Sequence, residues 1–447
     1  MSLPNLFDVC TPREDVRLGR LTESEFAADL AQVLRGTAPA EYRDPVRFFA
    51  TTHPTRGLRN LLWNVCRRLA GTGGQVSSIF WLDTNYGGGK THALIALAHA
   101  ARGMTGVPNV IEFLDPGLLP SGGVNVAAFD GEIADPVNGR DLGDGRKAHT
   151  PWGEIAFALA GGAGYERVRK SDETGVAPGS ETLRELFGDQ PTLILIAELS
   201  IYLRKIRKTA PLQQAAGQLT AFLNALFKAV ESAPRAALVY TLAIGKDGEG
   251  RKAGDAFQEE NRFIADFMEE AESVSARKAT ILDPTEEDET VRILRRRLFS
   301  DIDDERAAEI VEAYGRLWEA HAEHLPALGA DDKRREAFRS GYPLHPELIE
   351  TLKEKTSTLA NFQRVRGMLR LLARTVENLW RERPSDAYAI HLHHIDPGNE
   401  HIRQEIVTKV GQKRLRARVE SGCFTRPTGG RHEPMQRLCL AWCPVAF

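Results

Sequence analysis

The sequence predicts an α/β protein: a mainly parallel sheet of five strands with helices on both faces, a helical segment before it and a helical domain after it. Three observations predict this. Between residues 74 and 284, five short β-rich runs alternate with helical segments, the rhythm of a sheet whose crossovers are helices. One of those runs contains "LILI" (193–196), without polar alternation, which suits a central strand covered on both faces. Outside that region apolar residues recur at three- and four-residue spacing, the period of a helix with one buried face. At 447 residues the chain exceeds one ordinary core, so two or three domains are expected.

The elements follow in order. Residues 1–73 read as an N-terminal helical segment. In "LTESEFAADLAQVLRG", Thr22 and Glu25 have capping-box spacing. In "TRGLRNLLWNVCRRLAG", Leu58, Leu61, Leu62 and Val65 share a face before the glycine-rich "GTGG" stops the helix. The strands are expected at 77–83, 124–130, 192–198, 236–243 and 278–283. Two polar, glycine-containing stretches, 132–150 and 169–180, read as surface loops. After Pro284, Thr285 and Asp288 form a second capping-box candidate ahead of "ETVRILRRRLF", and further helices are expected at 304–324, 347–359 and 364–382. Domains are therefore expected at 1–73, 74–284, 285–400 and 401–447. The last is a basic tail, with nine Lys or Arg against three acids and no clear period. It is expected to be truncated, disordered or out of its original frame; the alternative is a basic arm that touches nucleic acid.

Composition narrows the function classes. The chain is 42% hydrophobic and 27% charged with a formal charge of −3, so no global field points to nucleic acid. Five cysteines are too few for a disulfide framework at this length. No basic-then-apolar leader opens the sequence and no apolar run approaches eighteen residues. A reduced cytoplasmic protein with no membrane association is expected.

The chemistry concentrates in "WLDTNYGGGKTHALIAL" (81–97). Glycines let successive backbone N–H groups converge on phosphates, and the following helix adds the positive end of its dipole. Gly87, Gly88, Gly89, Lys90 and Thr91 supply the parts: Lys90 for the β- and γ-phosphates, and the Thr91 hydroxyl for Mg2+. The pattern G-x-x-x-x-G-K-[ST] lacks its first glycine, replaced by Thr84, yet a strand precedes the loop and an apolar helix follows. His92 is grouped with these nucleotide-side residues, although an ordinary place in the first helical turn is its plainer reading.

Such a site also needs an acid at the end of a buried neighbouring strand. "LILIAEL" offers Glu198, but Ala197 stands where a metal-linked aspartate belongs. Either Glu198 polarises the attacking water, or it helps hold the metal and the base is missing. Three further candidates are Thr241, at the end of the fourth strand, to sense the γ-phosphate; Arg277, to reach a neighbouring subunit's site; and Arg370 or Arg366, from the helix 364–382. "HLHH" (391–394) and the set Cys439, Cys443 and His432 lack the spacing of a zinc site.

Taken in order, "FFATTHPTRGLRNLLWNVCRRLAG", "TNYGGGKTHALIAL", "TPWGEIAFALAG", "LILIAELSIYLRKI", "ARKATILDPTEEDETVRILRRRLF", "FQRVRGMLRLLARTVENLW" and "AIHLHHID" resemble a family of large bacterial and archaeal AAA+-type ATPases. That family carries a domain of unknown function and is encoded beside DNA methylases in phage-defence or restriction-like loci. The resemblance spans roughly residues 5–400. It implies an AAA+-like P-loop NTPase with a helical lid domain, using ATP and Mg2+ and assembling as a homo-oligomer. DNA methylases, other defence-locus proteins and DNA are the partners it implies. It carries the nucleotide role onto Gly87 to Thr91 and Glu198. Ala197 departs from the family pattern, so a catalytically weak nucleotide-binding switch is the rival to an active ATPase. Family members run on past this chain, so a missing C-terminal region is expected.

Overall fold

The computed structural model describes residues 3–20, 29–72, 76–82, 89–206, 212–241, 279–285, 287–322, 332–357 and 364–410. The chain divides into two compact units, 27–286 and 1–26 with 287–447.

Within the first unit five strands form one sheet: β1 (Ile79–Leu82), β2 (Asn125–Asp130), β3 (Thr192–Ala197), β4 (Ala236–Thr241) and β5 (Thr280–Leu282). Their order is β2-β3-β4-β1-β5, and every pairing is parallel. Alternate residues pack to opposite sides. Phe80, Leu82, Leu193, Leu195, Ala237 and Val239 meet the helices Leu30–Arg35, Pro45–Thr51, Arg56–Ala70 and Lys90–Ala101. Ile79, Trp81, Ile194, Ile196, Leu238 and Tyr240 face Pro151–Thr174 and Leu212–Glu231 instead. The unbroken "LILI" run has this cause: both faces of β3 are interior.

The helix Arg56–Ala70 forms where the apolar spacing predicts it. The Thr55 side chain accepts from the Leu58 N–H, and Gly71 closes the other end in a left-handed conformation. Thr55 also donates to the Pro284 carbonyl at 2.6 Å, beside the exit of β5. A Cβ at Gly57 would meet the Asp283 carbonyl, so only glycine permits that approach.

Both stretches read as surface loops contain regular structure. Arg140–Gly143 and Arg146–Ala148 pair as an antiparallel hairpin within 132–150. Residues 169–174 are the last turns of Pro151–Thr174, which is kinked at Ala160 and Gly161. The polar residues there serve the interior. The buried Asp172 carboxylate accepts from the His149 and Thr150 N–H groups, the Thr150 hydroxyl and the Tyr165 hydroxyl. It thereby ties hairpin to helix.

The second unit takes both ends of the described chain. Cys10–Pro12 pairs antiparallel with Phe299–Ile302. Leu6, Val9, Leu294, Leu298, Leu372 and Val376 share its core. The residues grouped in the sequence as 1–73 are thus split, the first part packing here and 29–72 against the sheet. The helix Arg364–Glu382 has its predicted bounds, Asp304–Ala320 ends before the expected 324, and Pro346–Ser357 starts one residue early. The helix before Phe299 begins at Thr290, capped by no side chain at Glu289, with a 3-10 turn over Glu287–Glu289. Thr285 is therefore not its cap. Thr22 and Glu25 lie outside the described residues; the helix there starts at Leu30 under Asp29. Glu400–Val410 is a helix whose Ile402 is buried in this core, so the start of the basic tail is folded. The rest of the tail lies outside the described residues. No helix among the described residues is long and apolar enough to cross a membrane.

Candidate functional site

The carboxyl ends of β1 to β4 bring one row of residues into register. Asp130 is in register with Ala197, and Leu82 with Thr241; the pairing of Ile196 with Tyr240 sets Ala197 beside Thr241. Ligands of parallel α/β sheets sit at this end of the strands.

Lys90 opens the helix Lys90–Ala101 and is only 7% exposed. The helix is alanine-rich and buried on nearly every side, which locks its first turn in place. Gly89 precedes it at φ +80°, a conformation that disfavours any side chain. Thr91 is half-buried in the same turn. Gly87 and Gly88 lie outside the described residues, as does Thr84.

Glu198 leaves β3 in a left-handed conformation, φ +53°, and its N–H donates to Thr241 Oγ1 at 3.1 Å. Burial pushes its carboxyl above the usual range, opposed by the charge of Lys90, and Glu132 adds to the rise. Its Oε2 is buried without a hydrogen-bond partner among the described residues. Lys90, Glu198 and Thr241 are thus brought together from three separate elements. Ala197 is buried at the strand end.

Asp130, which no motif singles out, is 7% exposed and pushed up to about 6 by burial, with Asp29, Glu132 and Glu198 adding to the rise. Its Oδ1 accepts from the Glu132 N–H at 2.9 Å.

Residues 7–114 and 122–278 match the DUF499 N-terminal domain, and residues 285–414 the DUF499 second domain. The chain belongs to the DUF499 family. The break between the two DUF499 domains falls beside the division of the structure after Glu286, although the DUF499 N-terminal match also includes residues 7–26 of the other unit. No curated protein matches this DUF499 chain. Among solved structures, a chain in the structure of Drosophila ORC bound to DNA is similar at 13% identity. The match covers 90% of this chain and 74% of that one, with a TM-score of 0.37, too distant to bear on function.

The other residues singled out in the sequence of this DUF499 protein stand as follows. His92 turns to the helical layer, its Nε2 2.8 Å from Thr52 Oγ1 and its ring stacked on Phe48 at 4.4 Å. Arg277 lies outside the described residues. Arg370 is buried in the second unit, 3.4 Å from Glu405, and Arg366 is half-buried one turn earlier. His391 is bonded to Tyr314 at 2.7 Å and stacked on His345. Among the described residues no group of three His, Cys, Asp or Glu side chains is arranged to hold a metal.

Proposed function

We propose that this chain is an AAA+-type ATPase that binds ATP with Mg2+ at the carboxyl end of β1. The observation that carries the reading is the buried Lys90 ammonium at the start of a buried helix, within electrostatic reach of the half-buried Glu198 carboxylate. An anionic ligand would add to what offsets the desolvation cost of a lysine held there. Lys90 would grip the β- and γ-phosphates, the Gly87–Gly89 backbone would cradle them, and Thr91 would meet Mg2+. Bound Mg2+ would neutralise charge developing on the phosphates. Glu198, with its backbone fixed by Thr241, would orient the attacking water, and Thr241 would face the γ-phosphate. Arg277 would act on a neighbouring subunit's site, and Arg366 or Arg370 from the helical unit. His92 is kept only as a neighbour of the nucleotide, since Thr52 and Phe48 engage it. The nucleotide state would drive remodelling of DNA or partner proteins within a DNA-modification-linked anti-phage system, with a homo-oligomer as the working form.

Ala197 favours a second reading, a nucleotide-binding switch with weak turnover, because its methyl group cannot hold a metal-bound water. Steady-state turnover and fluorescent-ATP binding separate the two. Lys90→Ala should weaken binding by about 10- to 100-fold, the worth of one charge-assisted contact. Ala197→Asp should raise turnover by about 10- to 100-fold if the metal is under-held. Binding that is indifferent to Lys90→Ala sinks both readings. Fast turnover that Ala197→Asp does not improve sinks the switch.

A further inference from the structure

We propose that Asp130, from the strand beside Ala197, supplies the metal-side carboxylate that position 197 lacks. The inference rests on the ATP-binding reading and adds a residue that no motif assigns.

The sheet register carries it. Asp130 and Ala197 are paired across β2 and β3, and parallel register partners project to the same face. On that face the helix Leu30–Arg35, capped by Asp29, packs on β2, and the helix of Lys90 packs on β3, where Ala197 shares its core with Leu94 and Leu97. Adjacent strands lie about 4.8 Å apart, so the carboxylate is displaced sideways by one strand and the alanine between leaves room for a metal-bound water.

The surroundings keep the two strand ends together. The Gly131 N–H donates to the Ala197 carbonyl at 2.9 Å, extending the ladder past Asp130. A Cβ at Gly131 would strike the Glu198 carbonyl, so glycine permits the close approach. Lys205 donates to the Ala134 carbonyl at 2.9 Å, pinning the loop that follows.

The charge is uncompensated. Asp130 is 93% buried, one oxygen accepts the Glu132 N–H, and neither oxygen has a basic partner among the described residues. Asp29, Glu132 and Glu198 surround it electrostatically, all of the same sign. Three carboxylates near a buried fourth raise its cost as an anion, and a divalent cation reverses that cost. Mg2+ in nucleotide sites is held by one or two carboxylates together with phosphates and water, so no all-protein cage is needed.

Titration of mant-ATP into the full chain, with Mg2+ or with EDTA, tests the assignment. Asp130→Asn retains the acceptor for the Glu132 N–H and so retains the turn. It should cut the Mg2+ enhancement of mant-ATP affinity by about tenfold or more while leaving affinity in EDTA unchanged. Asp130→Asn combined with Ala197→Asp should restore the enhancement. Lys90-dependent binding whose Mg2+ enhancement stays within about twofold in Asp130→Asn overturns this assignment and leaves the ATP reading standing. No mant-ATP binding by the unaltered chain overturns both.

Discussion

At the scale of the residue, the site is built from groups that are each costly alone. Lys90 is buried, and among the described residues one buried Glu198 oxygen has no hydrogen-bond partner and Asp130 has no counter-ion. Thr241 holds the arrangement by accepting the Glu198 N–H where the chain enters its left-handed turn. Thr241→Val keeps the side-chain volume and removes that acceptor. It should cost about 1–3 kcal/mol in urea unfolding, whereas Thr241→Ser should cost less. Equal stability of the two variants would show that the bond contributes nothing. The nearness of Lys90 and Glu198 was legible because motif spacing singles out both. Asp130 was not, because its relevance comes from register with a strand far along the chain. Its one local signal was an acid at the end of the run "VNVAAFD".

At the scale of the element, the sheet was legible and its decorations were not. Each predicted strand overlaps an observed one; in β1, β3 and β4 burial on both faces selects continuous apolar runs, whereas β5 is an edge strand with Ile281 exposed. The hairpin 140–148 and the end of Pro151–Thr174 were hidden by polar composition, since their polar groups pair with one another. Thr150 and Pro151 were a readable start signal for that helix. Asp172→Ala should lower stability by about 3 kcal/mol by orphaning the two backbone donors and two hydroxyls that meet the carboxylate. Asp172→Asn should recover part of the loss. A midpoint in urea unchanged by Asp172→Ala would refute that anchoring role.

At the scale of the whole molecule, the two units differ in the balance of their buried titrating groups: burial raises Asp130 and Glu154 and lowers His99 in the first, and lowers two histidines in the second. In the second unit burial holds His391 down to about 4 and His345 down to about 2, helped by neighbouring His393 and Arg334. Both stay neutral when folded, whereas unfolded histidine takes up a proton below about 6.5. Their contribution is therefore present above that pH and is lost as pH falls toward 4, by about 2 kcal/mol each between pH 7 and 5. Asp130 in the first unit is raised to about 6, so its folded form binds a proton first. Its contribution is present at low pH and is lost as pH rises through 6, which favours that unit by about 1 kcal/mol on going from pH 7 to 5. Calorimetric scans at the two pH values should find one transition falling and another holding or rising. Two transitions that fall together would contradict the assignment. The change of periodicity after Pro284 lies beside the division after Glu286, whereas nothing in the sequence marks residue 26, because the pairing of Cys10–Pro12 with Phe299–Ile302 leaves no mark in either segment alone.

That pairing has a consequence during synthesis. Ser300, whose hydroxyl donates to the Thr11 carbonyl across the two strands, lies 289 residues from Thr11 in the chain. At about 5–20 residues per second, the ribosome delivers the second strand roughly 15–60 s after the first. The apolar Leu6, Val9 and Cys10 wait through that interval without the core that later buries them, while the entire sheet unit emerges between the two halves. Nascent-chain chaperones should therefore hold the amino-terminal segment until translation passes Ile302.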